Sequence, residues 1–146
     1  MDSVYIETSV ISHATAWPNA EPTIAVLQAQ AKRWWDKQRS AYRLVTSQFV
    51  LDEAALGDPS AAALRLAMLA DIPLLLPDER VEQIADEILS RSLMPSKAKI
   101  DALHVASAAA GGVDYLLTQN CRHIAKTPIP FHACMIYWKK WVYLGY

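Results

Sequence analysis

Cysteine is scarce, with two in 146 residues. Cys121 and Cys134 form no pair of recognisable redox spacing, which excludes a disulfide-stapled scaffold and agrees with a reducing compartment. No apolar run approaches the ~18–20 residues of a membrane helix. The start, Met1-Asp2-Ser3, lacks the basic and apolar regions of a signal peptide, so a cytoplasmic location without a membrane partner is expected. Charge is also sparse: 20% of residues are charged against 53% hydrophobic, with a net charge of −1, which excludes a disordered chain. A chain of this length buries about 70% of its unfolded surface, enough to fold without disulfides or a structural metal. The most informative absence is local. Residues 115–146 contain no acid and carry +4, whereas residues 1–114 hold all fifteen acids and sum to −5. The near-neutral total is therefore a sum of opposites.

What is present reads as alternating short strands and helices. Residues 3–6 are β-branched and aromatic and predict a strand, followed by a short helix that Thr8 or Ser9 could cap before Pro18. From Pro22 to about Arg39, Ile24, Leu27, Ala31, Trp34 and Trp35 recur at helical spacing, and the tryptophans are expected to pack in the core. Arg43 to Thr46 reads as a strand, and Thr46 or Ser47 as the cap of a helix running to Gly57. Residues 59–70 open with Pro59 and predict another helix. Ile72 to Leu76 predicts a buried strand, Asp78 the cap of a helix to about Ser92, Ser96 to Ala110 a further helix, and Asp114 to Thr118 the last strand. Strands apolar on both sides, with helical connections and no hairpin turns, predict a parallel sheet between helices. The expected fold class is a three-layer α/β/α domain over residues 1–126, with an atypical aromatic and basic segment at 127–146.

In an open parallel sheet, ligands bind in the crevice beyond the carboxyl ends of the strands. Glu7 ends the first strand, Glu53 rides the apolar stripe of the helix after the second, Asp101 lies early in the helix before the last strand, and Asn120 follows that strand. Each acid has a plain alternative: Glu7 as a solvent-facing strand end, Glu53 as an ion-pair partner of Arg43 or Arg65, Asp101 as a helix-dipole residue. Taken together, carboxylates converging on one crevice repel one another unless a cation joins them. Oxygen ligands of this kind suit Mg²⁺ or Mn²⁺. In-line phosphodiester hydrolysis is the chemistry that such a site serves.

These residues resemble the PIN-domain ribonucleases, in particular the VapC-type toxins of bacterial toxin–antitoxin pairs. The resemblance rests on Val4-Tyr5-Ile6-Glu7-Thr8-Ser9-Val10, on Leu44-Val45-Thr46-Ser47 with Val50-Leu51-Asp52-Glu53, on Asp101-Ala102-Leu103-His104-Val105-Ala106, and on Asp114-Tyr115-Leu116-Leu117-Thr118-Gln119-Asn120 with Cys121-Arg122-His123-Ile124. It implies a PIN-like fold and a Mg²⁺- or Mn²⁺-dependent endoribonuclease, usually dimeric and neutralised by a small antitoxin. By position, Glu7, Glu53, Asp101 and Asn120 would be the catalytic metal ligands. Ser9 would contact the phosphate or a metal-bound water, and Thr118 would help shape the turn.

The chain departs from that pattern in three places. Glu7 stands where many members have Asp. Asn120 replaces an acid at the fourth position, which favours one well-held metal, with a second only in the presence of substrate. After Thr127 the usual closing helix and strand have no counterpart, although Phe131 to Tyr137 could supply an edge strand. A zinc clip from Cys121-x-His123 and His132-x-Cys134 has the wrong spacing, and His104 reads as a packed helix residue. The alternative function is a catalytically weakened PIN-fold module that binds RNA or protein. A phosphatase-like or response-regulator-like α/β domain lacks the Lys it would need after Thr118.

Overall fold

The computed structural model describes residues 1–120, 123 and 124. The expected segment at 127–146, the edge strand within it and the Cys121, His132 and Cys134 arms of the zinc clip lie outside the described residues.

Three strands, β1 (Ser3–Ile6), β2 (Arg43–Val45) and β3 (Tyr115–Leu117), form a parallel sheet in the order β2-β1-β3. Val4 pairs with Leu44 on one side and Tyr115 on the other. All four β1 residues are buried. Because successive side chains point to opposite faces, both faces of the central strand are covered by helices, as a parallel sheet requires. Asp114 fastens the start of the sheet: its carboxylate accepts from the Ser3 amide at 2.8 Å and the Ser3 hydroxyl at 2.9 Å.

The helices follow the sequence closely, with α1 at Thr8–Thr15, α2 at Pro22–Lys37, α3 at Gln48–Ala54, α4 at Pro59–Leu69, α5 at Arg80–Ser90 and α6 at Lys99–Ala110. Pro22 and Pro59 occupy first-turn positions, where a missing N–H costs nothing, and Glu21 and Asp58 cap the two helices. Trp34 and Trp35 are core residues, and Trp34 stacks on Tyr42 with ring centroids 6.1 Å apart. Seven consecutive α6 residues, Ala102 to Ala108, are buried, which marks an internal helix with no solvated face. α5 packs along it and buries Val81, Ile84, Ala85 and Ile88.

Three expectations change. The N-cap of α5 is Glu79, which makes no side-chain cap bond, instead of Asp78, whose Oδ1 accepts from the Arg80 amide at 2.9 Å. Ile72 to Leu76 is not a buried strand: it contributes one parallel bridge, Thr46 to Leu74, and leaves Leu74 and Leu76 exposed. Pro73 offers its carbonyl to the Thr46 amide at 3.0 Å but has no N–H to return, so no ladder propagates. The α1 cap is Glu7 instead of Thr8 or Ser9, with the Glu7 side chain accepting from the Ser9 amide.

Candidate metal centre

Glu7 sits where β1 runs into α1, and its amide extends the β1–β3 pairing by donating to Leu117 O at 3.1 Å. Its side chain is buried. One oxygen, Oε2, receives three donors: the Ser9 amide at 3.1 Å, the Ser9 hydroxyl, and Thr118 Oγ1 at 2.7 Å. Both hydroxyls also accept from the turn after β3, Ser9 Oγ from the Gln119 amide at 2.8 Å and Thr118 Oγ1 from the Asn120 amide at 2.9 Å. Gln119 is anchored in turn by His13 Nδ1 at 2.7 Å and by its own amide bond to Leu27 O at 2.9 Å. The β1–α1 and β3 turns are thus sewn together around Glu7. Its second oxygen takes no hydrogen bond from the described residues.

Glu53 projects from the last turn of α3, with a third of its side chain exposed. Its Oε1 accepts from Thr8 Oγ1 at 2.5 Å and from His104 Nε2 at 2.8 Å. His104, fully buried on α6, turns its other nitrogen to the Tyr5 hydroxyl at 2.9 Å, which lies 2.6 Å from Ser47 Oγ. Burial pushes the Glu53 carboxyl up, but the bonds from His104 and Thr8 outweigh it and hold the group below the usual carboxylate value. Burial likewise opposes a charge on His104, yet the bond to Glu53 and the charges of Glu7, Glu53 and Asp101 raise its pKa. Burial, the largest influence, keeps the Tyr5 hydroxyl protonated well beyond its normal range.

Asp101 lies in the first turn of α6, one turn before His104. Its Oδ1 accepts from Asn120 Nδ2 at 3.0 Å and its Oδ2 from His123 Nδ1 at 2.5 Å. Asn120 Oδ1 accepts the His123 amide at 3.0 Å, closing a small ring of bonds.

Of the residues singled out from the sequence, Glu7 and Glu53 come together directly. With His104 they offer ligand atoms within 4.8 Å of one another. Asp101 and Asn120 meet each other but are not members of that trio. Ser9 and Thr118 both reach Glu7. Arg65 does not pair with Glu53; it donates to Ala54 O at 2.9 Å and Leu56 O at 2.5 Å at the end of α3. From the sequence Tyr5 reads as a strand residue, Ser47 as a helix cap, His123 as an arm of the zinc clip and His104 as packing, and none of them is assigned to this site. The three-residue spacing of Asp101 and His104, which stacks them on one helix face, was the available signal.

The donor set fits a divalent cation. Two carboxylates converge, each with one oxygen free of hydrogen bonds from the described residues, and among those residues no Lys or Arg forms an ion pair with Glu7, Glu53 or Asp101. Oxygen donors of this kind suit hard ions such as Mg²⁺ or Mn²⁺.

The family model of the PIN domain matches residues 4–128. In fold the chain is similar to VapC20 of Mycobacterium tuberculosis, described as a toxin that cleaves the sarcin–ricin loop. The identity is 20% and the TM-score 0.56, over 77% of this chain and 86% of that one. No curated protein matches the chain. With the family model spanning most of its length, the chain belongs to the PIN-domain family.

Proposed function

We propose that this chain is a Mg²⁺- or Mn²⁺-dependent endoribonuclease that hydrolyses RNA phosphodiester bonds, and that it is the toxin of a toxin–antitoxin pair. The observation that carries the reading is the convergence of Glu7 and Glu53, each with one oxygen unbonded by the described residues, at the crevice where an open parallel sheet binds ligands. Membership of the PIN family and the likeness in fold to an RNA-cleaving toxin support it. When bound, the ion would act as a Lewis acid on the phosphodiester and lower the pKa of the attacking water.

The chain's own residues prepare the site. Thr8 and His104 hold Glu53, while Ser9 and Thr118 hold Glu7 and act on the site through it. Asp101 on α6 and Asn120 after β3 would complete the ligand set. The acid-free stretch from residue 115 onward, with its charge of +4, offers a favourable field to a polyanion. A homodimer in the cytoplasm, held by a small antitoxin, is the expected assembly.

The test is cleavage of single-stranded RNA with Mn²⁺, with and without chelator. Activity should need the ion and disappear in Glu53→Gln; cleavage that resists chelator counts against the assignment. One observation favours a second reading, a PIN-fold binding module with weakened catalysis: both Asp101 oxygens are already engaged, by Asn120 and His123. RNA binding without ion-dependent cleavage would select it.

A further inference from the structure

We propose that His104 is a positioning residue that fixes which oxygen of Glu53 faces the metal, as the last member of a buried relay running from Ser47 through Tyr5. The inference rests on the reading of Glu53 as a metal ligand. His104 offers a nitrogen within 4.8 Å of the ligand oxygens of Glu7 and Glu53 and so has the position of a third ligand.

Hydrogen-bond chemistry decides between the two roles. An ionised carboxylate can only accept, so the 2.8 Å contact between His104 Nε2 and Glu53 Oε1 requires a hydrogen on Nε2. That holds for the neutral and the cationic ring alike, and a nitrogen bearing hydrogen has no lone pair for a metal. The other nitrogen, Nδ1, is 2.9 Å from the Tyr5 hydroxyl. In the neutral ring Nδ1 accepts from Tyr5, whose oxygen accepts from Ser47 at 2.6 Å, so every donor in the chain points toward Glu53.

The relay has a mechanical result. Ser47 stands at the N-cap of α3 and Glu53 in its last turn, so Tyr5 and His104 grip the helix at both ends from β1 and α6. The Ser47 hydroxyl, directed at Tyr5, makes no side-chain cap bond to α3. At the far end, Thr8 and His104 both donate to Glu53 Oε1, while Oε2 receives no bond from the described residues. The carboxylate is therefore oriented before the ion arrives, the part that outer hydrogen-bond partners play for ligands in metal sites.

The test measures Mn²⁺ affinity by isothermal titration and nitrogen coupling to bound Mn²⁺ by pulsed EPR, in the full chain. His104→Leu should weaken Mn²⁺ about 10–100-fold. His104→Gln, whose amide can still donate to Glu53, should recover most of that loss, and Tyr5→Phe should lose less than His104→Leu. The wild type should show no directly coordinated nitrogen. A coordinated nitrogen that His104→Leu removes, or wild-type affinity in folded His104→Leu, overturns the proposal. Where His104→Leu fails to fold, His104→Gln and Tyr5→Phe carry the comparison, beside nitrogen NMR of the metal-free ring; a hydrogen on Nδ1 and a bare Nε2 would be fatal. Failure of the wild type to bind Mn²⁺ at all instead overturns the functional reading, and it shows before any variant is made.

Discussion

Glu7 and Asp101 are held in opposite ways. Glu7 gathers three donors on one oxygen and leaves the other without a bond from the described residues, whereas Asp101 divides its two oxygens between Asn120 and His123. The first arrangement is a cradle, rigid yet open to a ligand. The second is a clamp, in which a ligand must displace a hydrogen bond before it can use the carboxylate. The difference follows from neighbours. Glu7 lies at a strand-to-helix junction among small hydroxyls and amides, and Asp101 faces an amide side chain where an acid would have supplied a further ligand oxygen.

The largest effect should separate the cradle from the clamp. Glu7→Gln replaces the free oxygen or disturbs its three donors, and Mn²⁺ titration should find binding lost. Asp101→Asn should weaken binding by a smaller factor, because its oxygens are already engaged. Equal losses would erase the contrast, and unchanged binding in Asp101→Asn would remove Asp101 from the ligand set.

Next in size, Asn120→Asp converts the clamp into a pair of like charges. Metal-free protein should lose about 1–3 kcal/mol as the donor to Asp101 disappears, and Mn²⁺ should raise Tm further in the variant than in the wild type. Equal Tm shifts would show that Asn120 does not face the ion.

The smallest effect is on pH dependence in chelator. Glu53 is held below its ordinary value of 4.5, so its contribution is present above that value and is lost as pH falls through the folded pKa. His104 is raised above its ordinary 6.5, so its contribution is present below that value and is lost as pH rises through the folded pKa. The pair should therefore stabilise most between 4.5 and 6.5. The difference in urea midpoint between wild type and His104→Gln, followed across pH, should peak in that window; a flat difference would deny the coupling.

Much of this site was legible because acids on apolar stripes and at strand ends are conspicuous. Glu53, three residues after Val50, stands out against its helix, and the same logic placed Glu7 and Asp101. The helices were legible from their period and from Pro22 and Pro59. What could not be read were roles set by long-range partners. Tyr5 reads as an ordinary strand residue, and only the fold brings its hydroxyl to Ser47, 42 positions away, and to His104, 99 away. Ser47 reads as a cap and Thr8 as a cap candidate, yet their hydroxyls turn to Tyr5 and Glu53. Ile72 to Leu76 misled because apolar composition suggests a strand, while the missing N–H of Pro73 limits pairing to one bridge.

That bridge has a consequence for how molecules of this protein can meet. Beyond the three residues of β2, the Thr46 amide and carbonyl are taken by Pro73 O and the Leu75 amide, and proline presents no donor with which to carry the ladder on. At that position an added strand, the unit of domain-swapped or amyloid-like growth, finds both outward backbone groups of Thr46 already taken. A strand arriving there must therefore displace the short segment around Leu74 before it can reach the end of β2.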